Sequence, residues 1–69
     1  MILKVNGKEM RFDSENNPAT IELLLKQLKI DQAAVVAEVD SQIIERNRFT
    51  EFKLQDGQSI ELVTFVGGG

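Results

Sequence analysis

The chain has 69 residues, a formal net charge of −3 and a sequence pI near 4.8, and it lacks cysteine, histidine, tyrosine and tryptophan. That length builds one domain around one small core, which buries only about 60% of the surface an unfolded chain exposes. Without Cys or His there is no disulfide, no thiolate nucleophile, and no thiolate or imidazole metal ligand. Carboxylates, lysines and a few hydroxyls remain, a composition that argues against a self-sufficient enzyme.

The acidic balance also argues against a nucleic-acid partner, which demands a basic face able to neutralise phosphates. No apolar run approaches the roughly 20 residues that span a bilayer, and Met1 to Val5 is too short for a signal peptide. A soluble, cytoplasmic protein with no membrane partner is expected.

In chain order, Met1 to Val5 reads as a strand. Asn6 and Gly7 supply the two positive φ values of a type I′ turn, and Lys8 to Phe12 returns as the second strand of a hairpin. Alternation places Leu3, Val5, Met10 and Phe12 on one face, with Lys4 and Arg11 on the other. Asp13 to Asn17 is a polar connection, and Pro18 suits the approach to a helix. Thr20 is the expected N-cap, and Glu22 sits in the first turn. Ile21, Leu24, Leu25 and Leu28 recur at the spacing of one buried helical stripe. Asp31 and Gln32 break that pattern, leaving a short helix as a lid on a sheet.

Val35 to Val39 reads as a third strand, followed by an Asp40-Ser41 turn and a short fourth strand around Gln42, Ile43 and Ile44. Glu45 to Lys53 has no clear period. Phe49, Phe52 and Leu54 are the apolar anchors of what should be a turn of helix or an irregular crossover. Asp56 and Gly57 mark a tight turn before the last strand, Ser59 to Val66, in which Ile60 and Leu62 alternate with Glu61 and Val63. The predicted class is α+β: a ubiquitin-like β-grasp with a mixed sheet of four to five strands on one main helix and parallel first and last strands. Residues 1–66 should form the domain and residues 67–69 a flexible glycine tail.

Gly67, Gly68 and Gly69 carry the chemistry. Lacking Cβ atoms, they can enter a passage too narrow for any side chain. Ordering them costs roughly 3 to 6 kcal/mol at about 1 to 2 kcal/mol per residue, which a partner must recover elsewhere. If Ile60 and Leu62 face the core, then Glu61, Val63 and Phe65 lie outward as a partner-docking face. Burying a Val and a Phe there contributes roughly 1.5 to 3 kcal/mol each, about the same size as the tail-ordering cost. The carboxylate of Gly69 is a poor electrophile until it is activated, for example as an acyl-adenylate, and nothing in the chain performs that step alone. The alternatives are a glycine-rich end that is only a frayed terminus, and a register in which Val63 and Phe65 belong to the core. Arg46 and Arg48 read as solvated surface charges, and no catalytic residue or metal site is expected.

These residues resemble the ThiS family of thiamin-biosynthesis sulfur carriers over nearly the whole chain. The resemblance rests on the Asn6-Gly7 hairpin, the helix from Thr20 to Leu24, the run from Val35 to Ile44 ending at Arg46, and the Asp56-Gly57 turn. Above all it rests on the ending Ile60 to Val66 followed by Gly67, Gly68 and Gly69. It implies a ThiF-like adenylating enzyme that uses ATP and magnesium to activate Gly69, and a sulfur donor such as a cysteine desulfurase. A ThiG-like thiazole synthase would take the sulfur from the resulting thiocarboxylate. The carrier itself would bind no cofactor and would be a recycled co-substrate.

Two positions depart from the family pattern. Glu45 stands where members often have Pro, and Phe49 where they often have Trp. Competing expectations are a related carrier for molybdopterin, cysteine or tRNA thiolation, a ubiquitin-like modifier joined to lysine through Gly69, and a plain interaction domain with an idle tail.

Overall fold

A computed structural model describes residues 1–65. Val66 and the three terminal glycines lie outside the described residues, and so does the expected boundary between residues 66 and 67.

Strands β1 (Ile2–Val5) and β2 (Lys8–Arg11) form the expected hairpin, with Leu3 opposite Met10 and Lys4 opposite Glu9. Asn6 and Gly7 take φ values of 50° and 81°, as a type I′ turn demands. Helix α1 spans Ile21–Leu28 and buries Ile21, Leu24 and Leu25. Thr20 is its N-cap, accepting from the Leu23 amide at 3.3 Å. The helix ends on Lys29 in the left-handed region, φ 59°, where glycine is the usual choice. There the Ile30 amide donates to Leu25 O at 2.9 Å and the Lys29 amide to Lys26 O at 3.2 Å, a Schellman closure that satisfies helix carbonyls.

Asp31 does more than break the helical pattern. Its carboxylate accepts from the Ala33 amide at 2.9 Å and caps a 3-10 turn, Gln32–Ala34, that leads into β3 (Val35–Val39). Asp40 and Ser41, φ 48° and 70°, turn the chain into β4 (Gln42–Ile44). The crossover then opens with a 3-10 turn, Arg46–Arg48, and buries Phe49. Its carbonyls also serve the helix: the Glu22 amide donates to Phe49 O at 3.0 Å and the Ile21 amide to Phe52 O at 3.4 Å. These bonds and the Thr20 cap supply partners to amides that a helix start otherwise leaves open.

The last strand, β5 (Ser59–Thr64), completes a five-stranded sheet in the order β2-β1-β5-β3-β4. It runs parallel to β1 and antiparallel to β3, so the chain's first and last strands pair in parallel as expected of a β-grasp. β5 stops at Thr64, short of the predicted Val66. Its partner β3 begins at Val35, opposite Thr64, and beyond that point Phe65 has only a 3.1 Å bond from its amide to Ala34 O in the 3-10 turn. One face of the sheet packs with α1 around Leu3, Ala37, Ile60 and Phe49. Among the described residues, the opposite face exposes Val36, Ile43 and Val63.

Candidate functional site

β5 lies in the middle of the sheet, and its neighbours hold it on both sides. On the β3 side the register runs from Val39 opposite Ile60 to Val35 opposite Thr64. On the β1 side the amides of Lys4 and Asn6 donate to Gln58 O and Ile60 O at 3.0 and 2.8 Å. β1 ends at Val5, yet the ladder goes one step further through a side chain. The Leu62 amide donates to Asn6 Oδ1 at 2.6 Å, and Asn6 Nδ2 donates to Leu62 O at 3.1 Å. The root of β5 is tied down as well, since the Gly57 amide donates to Ile2 O at 2.7 Å and the Ile2 amide to Asp56 Oδ1 at 2.6 Å. The strand that leads in sequence to the glycines is therefore anchored along its length.

Alternation along β5 settles the register question. Ile60 and Leu62 are buried, while Val63 is 60% and Phe65 47% exposed, and Glu61 is exposed with them. The predicted docking residues thus share the open face of the sheet, and the core alternative for Val63 and Phe65 is excluded. The structure adds neighbours that the sequence reading did not assign. Val36, 42% exposed, stands directly opposite Val63 on β3, and Glu38 stands opposite Glu61. Ile43 on β4 is opposite Glu38 and is 67% exposed. The two-residue period of a strand over Val35 to Val39 puts Val36 and Glu38 on one face, and only the strand order shows which residues they meet.

Arg46 is exposed, as read, and it is also tied to the backbone: Nε donates to Gln32 O and Nη2 to Ala33 O, both at 3.1 Å. The guanidinium fork closes the 3-10 turn before β3 onto the turn after β4. Arg48 does behave as read, in an exposed pair with Glu51 at 3.4 Å of the kind that contributes little to stability. The predicted tail residues Gly67 and Gly68 and the predicted sulfur-carrying terminus Gly69 lie outside the described residues. What the described residues offer chemically is a surface: a half-exposed apolar patch with carboxylates in it, beside the end of an anchored strand.

A mixed sheet with parallel first and last strands, packed on one α-helix among the described residues, defines a small β-grasp protein of the ubiquitin-like class. The ThiS family model matches residues 3–69. Sulfur carrier protein ThiS of Bacillus subtilis (strain 168) is 35% identical over 68 residues, covering 99% of this chain and 100% of that protein. A crystal structure of the thiamine biosynthesis protein ThiS from Geobacter metallireducens superposes with a TM-score of 0.82 at 35% identity, with both chains covered completely. A thiazole synthase of Paramagnetospirillum magneticum is 33% identical over 69 residues, and the chain spans 20% of that protein's length. The chain belongs to the ThiS family.

Proposed function

We propose that the chain carries sulfur for thiamin biosynthesis on the C-terminal carboxylate of Gly69. The observation that carries this reading is the match to ThiS proteins along the whole chain, which includes the glycine ending. In the proposed cycle a Gly69 carboxylate oxygen attacks the α-phosphorus of ATP on a separate adenylating enzyme, and pyrophosphate leaves. A thiol reductant releases the donor's persulfide sulfur as sulfide and is itself oxidised to a disulfide; the sulfide attacks the carbonyl carbon, AMP leaves, and a thiocarboxylate remains. ATP and magnesium belong to the activating enzyme, sulfur comes from a donor such as a cysteine desulfurase, and the carrier supplies only the acyl group.

Thiazole synthase is the proposed acceptor. Support comes from the Paramagnetospirillum protein named thiazole synthase, in which a segment similar to this whole chain is part of the same polypeptide. A carrier fused to its consumer needs no separate encounter, since linkage raises the effective concentration. The described residues include no helix long and apolar enough to cross a membrane, in keeping with a cycle run in the cytoplasm. Glu61, Val63 and Phe65 form the proposed docking face, and Gly67 and Gly68 the thread that enters the enzyme.

The activation step is tested by exchange of labelled pyrophosphate into ATP with the adenylating enzyme. The full chain should support exchange, and a chain lacking Gly68 and Gly69 should abolish it while keeping its circular dichroism spectrum. Equal exchange by the shortened chain would contradict the assignment of the terminus.

A further inference from the structure

On the open face, Glu38 and Glu61 stand directly opposite each other on β3 and β5. Directly opposed like charges destabilise a sheet. Neither carboxylate has a cationic partner: the ion pairs among the described residues are Arg11 with Glu9 and Arg48 with Glu51. Lys4, the cation on the neighbouring strand β1, stands level with Ser59, one row away from Glu61. The carboxylate pair is bordered along the strands by the exposed Val36–Val63 pair and across the sheet, on β4, by exposed Ile43. Two uncompensated carboxylates set among exposed apolar side chains form a surface that is incomplete by itself.

We infer that this face receives a cationic side chain, in particular an arginine, from an apolar surface of the enzyme that acts on the tail; the guanidinium bridges Glu38 and Glu61 while Val36, Val63 and Ile43 pack around it. This rests on the proposed function for the identity of the enzyme and goes beyond it in naming the chemistry of the contact. A planar guanidinium presents several N–H donors in a rigid fork, so one group can satisfy carboxylates on two adjacent strands. Apolar neighbours that exclude water strengthen such a contact. A second copy of this chain is the poorer occupant. A two-fold interface centred on this pair would bring four carboxylates together, while the cations of the open face, Lys4 and Arg11, stand away from it on β1 and β2.

The face also reaches the last described residue. Phe65 follows β5 and is exposed, and its amide donates to Ala34 O in the 3-10 turn that leads into β3. A partner seated on Val36 and Val63 is thereby close to the point in the sequence that precedes the glycines.

The test is calorimetric titration of the adenylating enzyme with wild-type chain and with the Glu38→Gln/Glu61→Gln double variant, at low and at high sodium chloride. The double variant should bind at least about tenfold more weakly at low salt, with the salt dependence largely lost, and should melt no lower than wild type because the repulsion is gone. A Val63→Ser variant should also bind more weakly while staying folded. Unchanged affinity of the double variant, failure of the wild-type chain to bind, or a concentration-dependent dimer broken by Val63→Ser would overturn the assignment. Wild-type binding without pyrophosphate exchange would count instead against the proposed function and leave the docking surface standing.

Discussion

The carboxamide of Asn6 stands in for a peptide unit of β1, exchanging two hydrogen bonds with the backbone of Leu62 after β1 itself has turned away. The residue is held at φ 50° by the hairpin turn, and its own amide also donates to Ile60 O at 2.8 Å. One side chain therefore joins the hairpin turn to the outgoing strand. Asn6→Gly keeps the left-handed backbone and removes both side-chain bonds. We expect it to cost about 1 to 3 kcal/mol in urea unfolding, since the Leu62 amide and carbonyl lose partners in a partly buried place. Amide exchange at Leu62, whose N–H loses its Asn6 Oδ1 acceptor, should accelerate more than at Lys4, whose N–H still donates to Gln58 O. Equal exchange rates in variant and wild type would show that the bonds do not hold the strand.

Arg46 ties the turn before β3 to the turn after β4 through the Gln32 and Ala33 carbonyls. Arg46→Ala should lower stability by about 1 kcal/mol, the charge-assisted bonds being discounted for their exposure. Arg46→Lys should recover little of it, because an ammonium cannot span two carbonyls as a fork does. Binding of the adenylating enzyme should change less than twofold in either variant. A large loss of binding with unchanged stability would make Arg46 a partner contact instead.

Phe49 is one of the largest fully buried side chains and the anchor of the crossover. Phe49→Ala should remove about 3 to 5 kcal/mol, against a total of roughly 3 to 10 kcal/mol for a domain of this length. The variant should lose a large share of its stability and melt far below wild type. With no Trp or Tyr in the chain, circular dichroism is the appropriate probe. A cooperative melt within a few degrees of wild type would show that the crossover is not held by this ring.

Much of this fold was legible because local chemistry and global packing agree in it. Asn6 and Gly7 state their turn, Thr20 its cap, and the Leu24-Leu25 stripe its buried face. The alternation of Ile60 and Leu62 with Glu61 and Val63 separates the buried side of β5 from its outward side, as the structure has them. The misses share a cause in long-range partners. Arg46 reads only as a surface charge because its acceptors lie 13 and 14 residues away. Val36, Glu38 and Ile43 join the site only through strand order, and β5 ends at Thr64 because β3 begins at Val35, a limit its own residues do not announce. Asn6 was legible as a turn residue and not as a clasp on Leu62, since its second role depends on a strand 56 residues later.

Gly69 is where the chemistry should be read. Intact-mass spectrometry after incubation with the adenylating enzyme, ATP, magnesium and a sulfur source should show the chain gaining the mass of one oxygen replaced by one sulfur. Fragmentation should confine that gain to the C-terminal glycine. An unchanged mass in a reaction where the same enzyme thiolates a known carrier, or a gain located elsewhere in the chain, would contradict the assignment of Gly69 as the sulfur-bearing residue.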